Sequence, residues 1–105
     1  MAGRAAGGAI RGLAYAGRMS ATVLTLVGKP GCHLCDDARG VVTQVLEGLD
    51  ATRAAEVTLE ERSILDDPAL ADRFAEEIPV LLIDGRVHNY WRIDAERLRQ
   101  ALVER

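Results

Sequence analysis

The chain contains two cysteines, Cys32 and Cys35, three residues apart. Thiols at that spacing can cycle between dithiol and disulfide, supply part of a metal site, or sit reduced in a core. At the start of a helix, residues three apart share one face, close enough for a disulfide to form with little backbone movement. The helix N-terminus brings partial positive charge and free backbone N–H groups beside the first thiol. Both stabilise the thiolate, which is the form that attacks disulfides. The second thiol, one turn further in, can attack a mixed disulfide on the first and release the product. A zinc site needs four ligands, and only His33 and His88 are left as imidazole donors. His33 is squeezed between the cysteines, so the ligand count fits poorly. Two buried, inert cysteines would not be expected at a helix start. Cys32 is therefore read as the nucleophile and Cys35 as the resolving thiol, with no metal and no cofactor.

The flanking pattern supplies the elements that position this pair. Thr22-Val-Leu-Thr-Leu-Val27 is rich in β-branched residues and bounded by Gly28, which reads as a buried strand. Lys29-Pro30-Gly31 is a loop. From Cys32 the period changes: Leu34, Ala38, Val41, Val42, Val45 and Leu49 recur at helical spacing. Gly48 and Asp50 end that helix. Residues 55–65, with Val57 and Leu59 in alternation, predict a second, half-exposed strand with vague limits. Asp67-Pro68 is a helix start, since Asp caps free N–H groups and Pro suits the first helical position. Leu70, Ala71, Phe74 and Ala75 then form a short amphipathic helix ending near Glu77. Pro79 opens the apolar run Val80–Ile83, Asp84-Gly85 is a two-residue hairpin signal, and Arg86 to Trp91 is the return strand. Asp94 caps the last helix, with Ile93 and Leu98 placed to close as a hydrophobic staple. The order is β-α-β-α-β-β-α, an α/β fold whose β-α-β start implies a parallel pair joined by a right-handed crossover.

Bulk properties narrow the function classes. At 105 residues the chain is long enough for one domain. Its 49% apolar and 28% charged residues suit a globular protein with a real core. No apolar run approaches the roughly 18 residues of a membrane span. Residues 1–18 hold Arg4, Arg11 and Arg18 and no acid; taking those three charges from the total of −3 leaves −6 on the remainder. That balance argues against a nucleic-acid partner. The first 18 residues lack the continuous apolar core of a signal peptide. They have a transit-peptide-like Arg content but read better as a loosely attached extension, dispensable to the redox centre, before a single domain over 19–105. A lone close cysteine pair, unlike the richer framework of a secreted scaffold, points to a reducing compartment, taken as the cytoplasm.

Strand, Lys29-Pro-Gly-Cys32-His-Leu-Cys35, helix, then Ile78-Pro79 opening a hairpin strand resembles the glutaredoxin-like members of the thioredoxin superfamily, small bacterial CxxC proteins. The resemblance spans roughly residues 22–105. It implies a thioredoxin-like four-stranded mixed sheet with helices on both faces and a thiol–disulfide oxidoreductase activity. It also implies a cis Ile78–Pro79 bond facing the disulfide, Ile78 offering its backbone to extended substrates, and Lys29 as the cation for a glutathione glycyl carboxylate. Three features depart from the pattern. Gly31 stands where thioredoxins carry Trp, His33-Leu34 matches neither common dipeptide, and Asn89-Tyr90 replaces the Gly-Gly pair that binds the γ-glutamyl end of glutathione.

The expected partners are therefore disulfide-bearing proteins or a protein dithiol reductant, with glutathione used weakly, on a monomer. A redox-responsive thioredoxin-fold binding module without turnover is the alternative, and a metal-binding CxxC protein a more distant one. His88 reads as a solvated or half-buried strand residue. Tyr90 and Trp91 read as packing residues rather than a docking surface. The pairs Glu60-Glu61, Asp66-Asp67 and Glu76-Glu77 read as solvated faces and caps.

Overall fold

A computed structural model describes residues 21–104. The expected extension over 1–18, and the first two residues of the expected domain over 19–105, lie outside the described residues. The core strand is β1 (Thr22–Gly28). It pairs in parallel with β2 (Val57–Ser63) and antiparallel with β3 (Val80–Ile83), and β3 pairs antiparallel with β4 (Arg86–Tyr90). The sheet order is β2-β1-β3-β4. The fold is α/β and thioredoxin-like, a four-stranded mixed sheet with helices, as the motif order implied.

Of the four helices among the described residues, three were legible beforehand. Helix α1 (His33–Glu47) begins at its cap Cys32 and stops at Gly48. Asp50, expected only to end it, instead caps a further short helix, α2 (Ala51–Ala55), accepting the Arg53 N–H at 3.0 Å. That helix is the one element the hydrophobic periodicity did not register, because it buries no residue. Helix α3 (Pro68–Phe74) starts as expected, with Asp67 accepting from the Ala69 and Leu70 N–H groups, and ends before Glu77. Helix α4 (Ala95–Val103) is capped by Asp94.

Strand parity divides the core into two layers. Leu24, Leu26, Leu81 and Ile83 face α1 and α4, where they pack with Ala38, Val42, Val45, Leu98 and Leu102. Val27, Val80 and Leu82 face the other way, onto Phe74, with Ile64, Leu70 and Ile78 at the margin. Covering both faces explains why the central strands read as unbroken apolar runs. Ile93 and Leu98 are both buried in the first layer, as a staple requires. The hairpin turn has positive φ at Asp84 and Gly85, the conformation that Asp-Gly supplies at low cost. The return strand ends one residue early, at Tyr90, because Trp91 turns to φ +64°. Among the described residues no helix is long and apolar enough to cross a membrane.

Arg53 fastens the bottom of this frame. Its side chain is 11% exposed and donates to the Leu102 carbonyl at 2.8 Å, the Thr22 hydroxyl at 2.9 Å and Glu56 at 3.1 Å. One guanidinium thus joins α2, the C-terminal helix and the first residue of β1. Truncation withdraws several charge-assisted bonds from a largely desolvated site. Arg53→Ala is expected to lower stability by about 2–3 kcal/mol. In urea the midpoint should fall at unchanged slope.

Candidate active site

The site is built where β1 runs out beneath the first turn of α1. Gly28 ends the strand, and a methyl group there would lie 2.9 Å from the Cys35 sulfur and 3.2 Å from its Cβ. The strand therefore closes on glycine because Cys35 is seated directly on its backbone. Gly31 adopts φ +75°, the left-handed region that favours glycine, to turn the chain into the helix. That accounts for the residue standing where thioredoxins carry Trp: a large L-residue would be strained there.

Cys32 and Cys35 are joined in a disulfide, with Cα atoms 5.1 Å apart. Cys32 is the N-cap, in extended conformation, and its Sγ accepts the Cys35 backbone N–H at 3.1 Å. The same donor and the helix N-terminus would hold negative charge on that sulfur in the reduced protein. Cys32 is half-buried, whereas Cys35 is 2% exposed. In the first turn of α1, Asp36 is engaged by Arg39 at 2.9 Å, and Arg39 also donates to Glu61 at 2.8 Å. Hydrogen bonds to Glu61 first and Asp36 next hold the guanidinium protonated beyond its ordinary range.

Two depressions flank the pair. On the β2 side, a cleft of about 270 Å³ is lined by Lys29, Cys35, Asp36, Arg39 and Glu61 among others. On the opposite side, Leu34 of the Cys-His-Leu-Cys turn meets Tyr90, Trp91 and Arg92 around a shallow depression of about 420 Å³. The expectation that Tyr90 and Trp91 are packing residues does not hold. They are 44% and 51% exposed, stacked edge to face on each other at 5.0 Å. Trp91 is pinned by its backbone N–H to the Pro79 carbonyl at 2.8 Å and by its indole N–H to the Glu76 carbonyl at 3.2 Å. With its polar atom satisfied, the exposed ring surface is apolar. The alternation that made Trp91 look like a strand residue hid the turn that lifts it out.

The remaining expected site residues fall as follows. The Ile78–Pro79 bond is cis, and Pro79 is fully buried. Ile78 is half-buried and packs against the α3-side layer. Lys29 is exposed and shares the cleft with Cys35. Asn89 is not open to a ligand in the manner of glycine, because its side-chain oxygen accepts the Asp94 N–H at 2.8 Å. His33 is exposed beside the pair and His88 half-buried in β4. Among the described residues no three His, Cys, Asp or Glu side chains gather as a metal-binding group. Arg39 and Glu61 were not singled out from the sequence as site residues, although Glu61 follows Val57 and Leu59 in strict alternation.

Residues 23–103 match the Glutaredoxin-like domain (DUF836) family. The chain belongs to that family. An uncharacterized protein of Mycobacterium tuberculosis is 28% identical over 81 residues, covering 77% of this chain and 82% of its own length. Among solved structures, a structural-genomics target protein, XcR50 from X. campestris, is 32% identical and superposes with a TM-score of 0.58 over 78% of this chain and 97% of the other. A chloroplastic thioredoxin z superposes with a TM-score of 0.62 at 15% identity, over 90% and 89% of the two chains, a likeness of fold.

The unequal burial of the two sulfurs has a direct chemical readout. In the reduced protein, iodoacetamide at mildly acidic pH is expected to alkylate Cys32 well before Cys35, since thiolate character and access both favour it. Peptide mapping of singly labelled protein checks this; label arriving first on Cys35 would reverse the assignment.

Proposed function

We propose that this protein is a thiol–disulfide oxidoreductase that cycles Cys32 and Cys35 against disulfides in other proteins. The observation that carries the reading is the disulfide at the cap of α1, with a half-exposed outer sulfur, a shielded inner one and a backbone N–H on the outer sulfur. In the reducing direction, the Cys32 thiolate attacks a substrate disulfide, forming a mixed disulfide and releasing one substrate thiolate. Cys35 then attacks the Cys32 sulfur, the second substrate sulfur leaves, and the protein retains the disulfide. Electrons pass from the dithiol to the substrate, and a dithiol reductant returns the pair to its starting state. Lys29, the Ile78 backbone and Pro79 are proposed to border the bound substrate chain, with the Tyr90–Trp91 surface beside Leu34 suiting a polypeptide more than a small polar thiol. A monomer working in the cytoplasm, where thiols are kept reduced, fits this role.

The test is catalysed reduction of a protein disulfide driven by dithiothreitol. Turnover should vanish in Cys32→Ser, and Cys35→Ser should accumulate mixed disulfides with its substrate. A pair that oxidises and reduces readily yet gives no turnover would instead support a redox-responsive binding module.

Glutathione is the second comparison. Its two carboxylates need a cation at one end and closely approached backbone N–H groups at the other. Lys29 can serve the first. At the second, the side chain of Asn89 is committed to Asp94 and Tyr90 adds a ring. Losing one charge-assisted anchor costs about 1.5–3 kcal/mol, or one to two decades of affinity. Steady-state reduction of a mixed glutathione disulfide is therefore expected not to saturate at sub-millimolar glutathione; saturation there would restore glutathione as the reductant.

A further inference from the structure

Val23, Leu65, Val87, Tyr90, Trp91 and Val103 are the large apolar side chains exposed among the described residues. Val23 stands near the start of β1, whereas the chain leaves for Cys32 from the other end of that strand. Val87 follows the hairpin turn, Val103 ends α4, and Leu65 lies in the turn after β2. Of the six, Tyr90 and Trp91 are the ones joined to the reactive turn. Val27 is in register with Val80, and Val80 with Tyr90, so β4 ends level with the end of β1. Two strand spacings separate them, about 10 Å. There the two rings meet Leu34, which stands between the cysteines and is half-buried.

Trp91 is held there against its backbone preference. Among the described residues it is the only bulky side chain at positive φ; the others in that region are Asp84 and two glycines. A bulky residue is strained in that conformation, and a ring left exposed recovers little of the cost through burial. The bonds from its backbone N–H to the Pro79 carbonyl and from its indole N–H to the Glu76 carbonyl fix the ring in place. Pro79 is fully buried, so this shelf is anchored to the core. A ligand that covers it has no mobile side chain to order at that point, which removes one of the usual costs of binding. Arg92 borders the same depression and is exposed. Carboxylates pair with Arg39, Arg53, Arg62 and Arg99, but among the described residues none pairs with Arg92. Trp, Tyr and Arg are the side chains that most often anchor protein contacts, and here all three adjoin one sulfur. The complement of this surface is a large apolar group with a negative charge beside it.

Resting on the oxidoreductase reading, we propose that Trp91 is a specificity-determining residue for polypeptide substrates. With Tyr90 and Leu34 it receives a large apolar side chain next to the substrate's reactive cysteine, and Arg92 receives an acidic residue beyond it. The substrates so selected are polypeptides whose cysteine is flanked by Phe, Leu or a similar residue and then by Asp or Glu. The subsite acts on the first step, when the Cys32 thiolate bonds to the substrate cysteine sulfur and the other sulfur of that disulfide leaves as a thiolate. Cys35 then displaces the substrate cysteine from Cys32. Two protein thiols are oxidised to a disulfide and one substrate disulfide is reduced to two thiols.

The probes are blocked peptides that carry their single cysteine as a mixed disulfide with thionitrobenzoate, whose release is coloured. Gly-Phe-Cys-Phe-Gly is compared with Gly-Ser-Cys-Ser-Gly, the paired flanks sampling either chain direction. The full-length reduced protein is expected to react about tenfold faster with the Phe peptide, the gain from burying one large apolar side chain. Trp91→Gly accepts the φ of +64° without strain and should bring the ratio of the two rates close to one. Both peptides are read on the same protein, so a merely structural role for Trp91 would lower the two rates together and leave their ratio in place. Trp91→Asn, which also tolerates the left-handed region, repeats the measurement if the glycine variant does not fold. With Asp or Lys in place of the terminal glycines of the Phe peptide, Arg92→Glu should shift the Asp-to-Lys rate ratio toward Lys by about threefold or more at low salt. Arg86→Glu, at the far end of β4, is the control for the change in overall charge. Colour release that persists in Cys32→Ser, or fails with every peptide, defeats the oxidoreductase reading and this proposal with it. With that reading intact, the proposal alone is overturned by a wild-type Phe-to-Ser ratio near one or by a ratio that survives loss of the ring. A charge shift no larger in Arg92→Glu than in Arg86→Glu also overturns it.

Discussion

The contact on which the site depends is the seating of the Cys35 sulfur on the backbone of Gly28. A β-strand that ends in any side chain would push the first turn of α1 outward, since even a methyl group would meet the sulfur at 2.9 Å. From that one approach the rest follows. The helix starts immediately over the strand end, so its free N–H groups converge at the tip of the sheet. Cys35 is then sealed between helix and strand, and Cys32, three residues earlier, is left at the rim. The carbonyl of Gly28 is not idle either: it accepts the Ile64 N–H at 2.9 Å, which holds the exit of β2 beside the cleft.

The frame that presents this contact is stiff because both faces of the two central strands are covered. Fully buried Leu24 and Leu81 on one side, and Val27 and Val80 on the other, leave β1 and β3 no freedom to slide. A one-residue slip would exchange the two layers. The edges are different. Arg39–Glu61 and Arg62–Glu60 place charges along β2, which solvates that edge and discourages further strand pairing. At the β4 edge a register shift between Leu81 and Leu82 lets the strand stop at Tyr90 and the chain turn outward at Trp91. A bulky residue at positive φ is costly, and here two hydrogen bonds from its backbone and indole oblige the ring to stand where it does.

Much of this was legible from residue types. The β-branched run over 22–27, the period change after Cys32, Asp67-Pro68, Asp84-Gly85 and Asp94 each carry a local signal strong enough to place an element. Each element formed near the place its signal marked. What escaped had no local signal, or one that pointed elsewhere. Helix α2 buries no side chain, so it leaves no periodicity to find. Trp91 continues the alternation of β4 and leaves the strand for reasons held in Pro79 and Glu76, fifteen residues away and less. Glu61 read as one member of an acidic pair because its neighbour Glu60 is acidic too. Only the register with Leu26 brings Glu61 beside the end of β1, where it lines the cleft with an exposed side chain.

The two flanks of the disulfide differ in kind, and that difference constrains how the two sulfurs can work. On the β2 flank three cationic and three carboxylate side chains surround the approach to Cys35. Such a surface favours water and ions and offers little to an apolar substrate. On the Leu34 flank, the exposed rings of Tyr90 and Trp91 offer the opposite, with Arg92 the only charge. Under the proposed oxidoreductase role, a polypeptide attached to Cys32 would gain by lying over the aromatic flank, where burying ring surface is favourable. In doing so it leaves the charged cleft uncovered, so Cys35 keeps its route to solvent while the outer sulfur is occupied. Had both flanks been apolar, a bound chain would seal in the resolving thiol with its proton. Had both been charged, the partner would lose its apolar contact. The division between the flanks follows from sheet order: β2 lies at one edge, the turn after β4 near the other, and the first turn of α1 lies between them.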